Sequence, residues 1–223
     1  MATSTGRLDE LQTRVLVTLS GMEPPFVLSG GAALAGFHLE HRTTRDLDLF
    51  WRNREHLGDL PDVVEQRLAG AGLSVRTLQT TPAFVRLRVS DGSSAVVVDL
   101  IAEATNGIEK AVRHLVGAAE IILIDSPRAI LAEKLCALLE RSELRDLIDV
   151  DALIQSGESL ELALAEAPRR DGGFSPLTLA WVLRDLDVKE LASAAGFDEP
   201  TASRLDASRR SLVERLIEPR AKQ

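Results

Sequence analysis

The 223-residue chain has no tyrosine, one cysteine and only 4% aromatic residues. A lone thiol, Cys136, closes no internal disulfide and makes no zinc site, which points to a reducing compartment, the cytoplasm. With so few rings, stacking on bases is not expected to dominate any contact with a nucleic acid. Positive charge is also short: 26 Lys and Arg face 34 Asp and Glu, a formal net charge of −8. That excludes a protein that coats duplexes through an all-basic surface, so any nucleic-acid contact has to be local. No eighteen apolar residues follow one another and the N-terminal segment is charged throughout, so neither a membrane span nor a signal peptide is expected. The four histidines, His38, His41, His56 and His114, show no metal-ligand spacing.

The apolar share, 45%, is enough to build a core. Residues 1–125 and 126–223 each carry a net charge of −4, so there is neither a basic domain nor an acidic tail. Locally, Arg42, Arg45, Arg52 and Arg54 crowd one short segment.

The first part alternates helix and strand patterns. Leu8, Leu11, Val15, Leu16 and Leu19 recur at helical spacing; "FVLSG" reads as a short buried strand, and "AALAGFHLE" as a helix straight after it. "DLDLFW" alternates with period two, and a helix around Val63–Leu68 follows. "LSVRTLQ", "AFVRLRV", "AVVVDLI" and "EIILI" read as four more strands, the middle two joined by a turn at Asp91 and Gly92. From Ser126, a helix N-cap followed by Pro127, the pattern is helical to the end, with Ala167–Pro176 expected as a flexible link. Two domains are therefore expected, 1–125 of mixed α+β character and 126–223 helical and packed on the active site.

The chemistry lies between Phe26 and Phe50. Ser29-Gly30-Gly31 ends a strand and opens a helix, where glycine lets a backbone approach a ligand and free N–H groups favour phosphate. On the next strand Asp46 and Asp48 share one face, about 7 Å apart along the backbone. Two such carboxylates repel each other unless a cation lies between them, and magnesium takes oxygen ligands of this kind while keeping waters and substrate phosphates as the others. Asp99 puts a third carboxylate into an apolar strand, where it has to be paired, metal-linked or at the edge. Arg86 and Arg88 offer it the alternative of a salt bridge, and the residues leave both roles open.

The order Gly-Gly, helix, Asp-x-Asp on a strand, then a later carboxylate resembles the nucleotidyltransferase superfamily related to DNA polymerase β. "AILAEKLCALLERSELRDLIDVDAL" narrows the resemblance to the AbiEii/MenT nucleotidyltransferase toxins of bacterial toxin–antitoxin and abortive-infection systems, over roughly Phe26–Leu153. The resemblance implies a nucleotidyltransferase-fold mixed sheet with flanking helices, α+β in class, followed by a helical C-terminal portion. It implies magnesium on Asp46 and Asp48 with Asp99 as third ligand, and a triphosphate cradled by Ser29, Gly30 and Gly31. Lys134 is then expected on the nucleotide, with Asp146 and Asp149 required for function. It further implies an NTP co-substrate, a tRNA 3′ end or other RNA as acceptor, blocked aminoacylation, and a cognate antitoxin. This chain departs from the family in reading Ser-Gly-Gly where Gly-Ser is frequent, and in lacking an Asp four or five residues before Lys134.

From the residues alone, Lys134 borders the stripe Ile130, Leu131, Leu135 and Leu138, where a snorkelling surface lysine is the common role. Asp146 and Asp149 share a helix face with Arg141 and Arg145 as ordinary partners. Trp51 and Trp181 read as core or border aromatics. Two rival functions stand beside the toxin. An aminoglycoside nucleotidyltransferase would share the metal site. A helix-turn-helix regulator would use "LASAAGFDEPTASRL" and Arg204, Arg209 and Arg210, although its acidic flanks favour a packed helical hairpin.

Overall fold

A computed structural model describes residues 7–104, 111–117 and 120–218, which divide near Ile130 into two compact units. The first unit is built on one mixed sheet. Its strands are β1 (Val27–Ser29), β2 (Asp46–Arg52), β3 (Ser74–Thr80), β4 (Phe84–Ser90), β5 (Ala95–Glu103), β6 (Val112–Val116) and β7 (Glu120–Ile124), in the spatial order β3-β4-β5-β2-β1-β7-β6. β2 runs parallel to β5 and antiparallel to β1, and β1 runs parallel to β7.

β2 sits centrally because its sequence has one face for each environment. Leu47, Leu49 and Trp51 are buried, while Asp46, Asp48, Phe50 and Arg52 on the other face are half-buried. Against the buried face lie α1 (Glu10–Leu19) and α3 (Leu60–Gly70), contributing Val15, Leu16, Leu19, Val64 and Leu68 to a core completed by Leu87, Val98 and Leu100. Asp9 starts α1 with a capping box: its carboxylate accepts from Gln12 N–H and the Gln12 side chain accepts from Asp9 N–H. Trp51 packs on Phe26, with ring centroids 5.9 Å apart, and donates to the Pro24 carbonyl.

Six strand patterns were legible in the sequence, and β6 was not. In this edge strand Arg113 and His114 interrupt the apolar residues Val112, Leu115 and Val116, so no apolar run shows. The β4–β5 turn is held by Asp91, which accepts from the N–H groups of Ser93 and Ser94; these bonds pull its carboxyl down to about 2. The expected helix after β1 is present in two pieces: α2 (Gly30–Ala33), then a π-helical turn over Leu34–His38.

Ser126 caps α4 (Pro127–Arg141) through its Oγ, which accepts from Ala129 N–H, and the boundary between the units falls within this helix. The second unit continues with α5 (Leu144–Gln155), α6 (Leu160–Arg170), α7 (Pro176–Arg184), α8 (Val188–Ala194) and α9 (Glu199–Ile217). Two expectations need correction here. Residues 167–176 are not a flexible link: α6 runs on to Arg170, Asp171 accepts from Gly173 N–H, and Phe174 is buried. Trp181 is 66% exposed on α7 rather than at the core. The helical-hairpin reading of α8 and α9 fits the structure, where Arg204 pairs with Asp151, and Arg209 and Arg210 both pair with Asp206. Cys136 donates to the Ala167 carbonyl, and burial pushes its thiol up to about 11, so it is a packing residue. Among the described residues no helix is long and apolar enough to cross a membrane.

Candidate functional site

Strand register brings the first unit's chemistry into one row. Ser29 on β1 faces Asp48 on β2, Asp48 faces Asp99 on β5, and Asp99 faces Arg86 on β4. Asp46, two residues from Asp48, opens the adjacent row, opposite Val97. Cross-strand partners share a face of the sheet, so all three carboxylates stand on the same side.

Gly30 fixes the close approach between the turn and Asp48. It adopts φ 65°, a left-handed conformation, and a Cβ built on it would collide with Asp48 Oδ2. The absent side chain is therefore the space that the carboxylate fills. Gly31 is not at positive φ; a Cβ there would meet the end of the Arg42 side chain, with Nη2 at 2.7 Å. Ser29, Gly30 and Gly31 are all buried.

Asp46 is oriented by a residue that the motif did not single out. Thr44 Oγ1 donates to Asp46 Oδ1 at 2.8 Å, and buried Gln12 donates from Nε2 to the Thr44 carbonyl at 3.2 Å. The capped start of α1 thus braces the loop that aims the first aspartate. A hydroxyl two positions before an Asp-x-Asp, in "TTRDLD", was the available signal.

Of the two partners open to Asp99, the structure takes Arg86. Arg86 donates from Nε to Oδ1 at 2.8 Å and from Nη2 to Oδ2 at 2.6 Å. The Asp99 hydrogen bonds raise the Arg86 pKa above its ordinary value, against partial burial, and Asp48 and Asp46 add to the rise. One guanidinium therefore answers the field of all three carboxylates. Among the described residues, no three Asp, Glu, His or Cys side chains come together closely enough to hold a metal ion by themselves. The donor set of Asp46 and Asp48, hard oxygens on a half-buried face beside a glycine turn, nonetheless fits a divalent cation that completes its shell with water and phosphate oxygens.

The arginines near the motif divide in role. Arg52 is a structural ion-pair residue: it donates to both oxygens of fully buried Asp125, at 2.6 and 2.7 Å, and to Glu103 at 3.0 Å. Arg45 is exposed. His38 makes a 2.8 Å hydrogen bond with the Asp125 carbonyl; burial lowers its pKa, opposed by that bond and reinforced by His114.

Lys134, Asp146 and Asp149 meet in the second unit. Lys134 is 5% exposed, and its Nζ lies 2.9 Å from Asp146 Oδ1 and 3.1 Å from Asp149 Oδ2, both on α5. It is not a snorkelling surface residue. Arg141 adds a bidentate contact to Asp146, with Nε to Oδ2 at 2.8 Å and Nη2 to Oδ1 at 3.0 Å. Burial alone would lower the Lys134 pKa, but Asp149 and Asp146 outweigh it and the net shift is upward. For Asp146 burial pushes upward and the bonds from Arg141 and Lys134 win, so the net shift is downward. Sequence spacing placed the two aspartates on one face; only the fold shows that this face closes on Lys134.

The family model for the nucleotidyl transferase AbiEii toxin, of type IV toxin–antitoxin systems, matches residues 14–215. The chain belongs to the AbiEii nucleotidyltransferase toxin family. Solved structures agree on the fold. MenT4, a nucleotidyltransferase toxin from Mycobacterium tuberculosis H37Rv, is similar with a TM-score of 0.62 and 16% identity, over 95% of this chain and 83% of that one. JHP933 from Helicobacter pylori gives 0.53 and 22%, over 91% and 89%. The antibiotic-resistance factor ANT(2'')-Ia gives 0.53 and 14%, over 73% and 92%. No curated protein matches. As an AbiEii nucleotidyltransferase the protein is an enzyme of nucleotidyl transfer, and membership implies an NTP substrate, a divalent metal and a cognate antitoxin.

Proposed function

We propose that this AbiEii-family enzyme uses magnesium to move a nucleoside monophosphate from an NTP to the 3′ hydroxyl of tRNA in the cytoplasm, arresting translation by blocking aminoacylation until its antitoxin neutralises it. The observation that carries the site assignment is the packing of side-chain-free Gly30 against Asp48, with Asp46 and Asp99 on the same sheet face. Asp46 and Asp48 would hold the ion, with Asp99 as third ligand once Arg86 yields one of its oxygens. When bound, magnesium supplies positive charge to the attacking and leaving oxygens of an in-line displacement.

The chain's own groups do the rest. Ser29, Gly30 and Gly31 are assigned to the triphosphate, where the glycine backbone admits close approach. One carboxylate of the Asp46, Asp48 and Asp99 set takes the proton of the acceptor hydroxyl. The acceptor's oxygen then bonds to the α-phosphorus as the bond to the bridging oxygen breaks and pyrophosphate leaves. Lys134 is assigned to nucleotide phosphate, exchanging part of its contact with Asp146 and Asp149. Those two aspartates hold its ammonium charged and in place.

The test is label transfer. The protein is incubated with each α-labelled NTP, magnesium, and either total tRNA or an aminoglycoside, in parallel with Asp48→Ala. Label on tRNA from the unaltered protein alone is expected. Label on the aminoglycoside instead would transfer the proposal to antibiotic modification, and equal labelling by the variant would remove Asp48 from the site.

A further inference from the structure

Beyond the carboxylates the same sheet face continues onto β4 and β3, and its charge changes sign. From Gln66 to Ser90 the chain contains no acidic residue and four arginines, in a protein whose net charge is −8. Three of the four, Arg76, Arg86 and Arg88, lie on this face: Arg76 stands opposite Arg88 and Arg88 opposite Val97, while Arg86 stands opposite Asp99. Asp46, Val97, Arg88 and Arg76 therefore form one straight row across four strands. At about 4.8 Å per strand, Arg88 starts ~10 Å and Arg76 ~14 Å from Asp46.

Arg86 is consumed by Asp99, but Arg76 and Arg88 are exposed and have no hydrogen-bond or ion-pair partner among the described residues. Two like charges directly opposite on neighbouring strands destabilise the pairing. β3 is an edge strand with Arg76, Thr77, Leu78, Gln79 and Thr80 all exposed, so no described residue of the first unit covers this part of the face.

We infer that this open face of β3 and β4 is the track for the acceptor RNA strand, with Arg88 and then Arg76 each meeting a backbone phosphate as the strand leaves the carboxylates. The inference rests on the proposed transfer to RNA and adds where that RNA lies. Charge complementarity supports it: the chain is acidic as a whole, and its acid-free hairpin adjoins the site where a 3′ hydroxyl would react. Asp99, held by Arg86, stands between the Asp-x-Asp strand and the track, on the side away from the Ser29 turn. That leaves the glycine turn for the nucleotide and the hairpin for the acceptor.

The test uses Arg76→Gln, Arg88→Gln and the double variant of the whole chain, with fluorescently labelled total tRNA as probe and no NTP, by anisotropy across a salt series. Each phosphate contact to a single strand contributes about 0.7 to the slope of log affinity on log salt, so the double variant is expected to lose about 1.4 from that slope. Its affinity at 0.1 M salt should then fall on the order of tenfold. Thermal unfolding should not fall, since both side chains are exposed and their removal relieves a repulsion. Binding of a fluorescent NTP should match the unaltered protein. Unchanged tRNA affinity and salt slope would overturn the track and leave the strip to an anionic protein; weakened NTP binding would overturn it in favour of the triphosphate. Both readings are independent of label transfer, whose failure in the unaltered protein would sink the proposed reaction alone.

Discussion

Gly30→Ala separates the site from the fold more sharply than removing a carboxylate would. Gly30 holds φ 65°, and holding an L-residue there costs about 1–2 kcal/mol. The new methyl would also overlap Asp48 Oδ2, so the carboxylate has to retreat. Asp48 is half-buried, and the overlapping atom is the end of its side chain, so the side chain rather than the backbone gives way. Catalysis has no such latitude, because a misplacement of about 1 Å costs on the order of 100-fold in rate. The expected variant is therefore folded, destabilised by about 1–2 kcal/mol in urea unfolding, and at least about 100-fold slower in label transfer. Gly31→Ala is the control for backbone effects, since its methyl meets the flexible end of Arg42 and its φ is not positive; it should unfold close to the unaltered protein. A Gly30→Ala protein that transfers label at the normal rate would refute the claim that this glycine exists to admit Asp48. So would one whose activity falls only in proportion to its folded fraction.

Two further outcomes follow from the same geometry. Thr44→Val removes the hydroxyl bonded to Asp46 and should cost about 1.5–3 kcal/mol, the range for a hydrogen bond to a charged group, together with a drop in transfer; an unchanged rate would show that Asp46 needs no brace. Lys134→Met leaves Asp149 and Asp146 buried with less countercharge, so urea unfolding should show a loss of about 3–5 kcal/mol, part of it recovered by adding Asp149→Asn. The pH dependence of that contribution is fixed by both shifts. Lys134 is raised, so its share is complete below the unfolded value of about 10.4 and fades as pH rises through the higher folded one. Asp146 is lowered, so its share is complete above about 3.9 and fades as pH falls through the lower folded value. The triad should support stability across that whole window, and a difference between Lys134→Met and the unaltered protein that vanishes at pH 7 would contradict it.

The sequence disclosed what periodicity and motif spacing can encode. Alternation in "DLDLFW" gave the face of Asp46 and Asp48, and "SGG" gave a turn, because both are local properties of a short stretch. It left Asp99 undecided between metal and arginine, since the choice of Arg86 over Arg88 depends on cross-strand register. Arg52 was grouped with its neighbours as one local cluster, yet it pairs with Asp125, seventy-three positions away. β6 escaped because Arg113 and His114 break its apolar residues apart. Trp181 was read as a core or border aromatic on residue type alone, and type does not tell which side of a helix meets its neighbours.

The alternation of β2 has an evolutionary consequence. A slip of one position along this strand would send Asp46 and Asp48 into the core and turn Leu47, Leu49 and Trp51 outward, which the fold would not survive. Selection for a chain that merely folds therefore also keeps positions 46 and 48 in line on the open face. A copy whose activity no longer mattered would be free to lose the aspartates themselves, yet whatever stood at 46 and 48 would still point to the same spot for as long as those three apolar side chains stay buried.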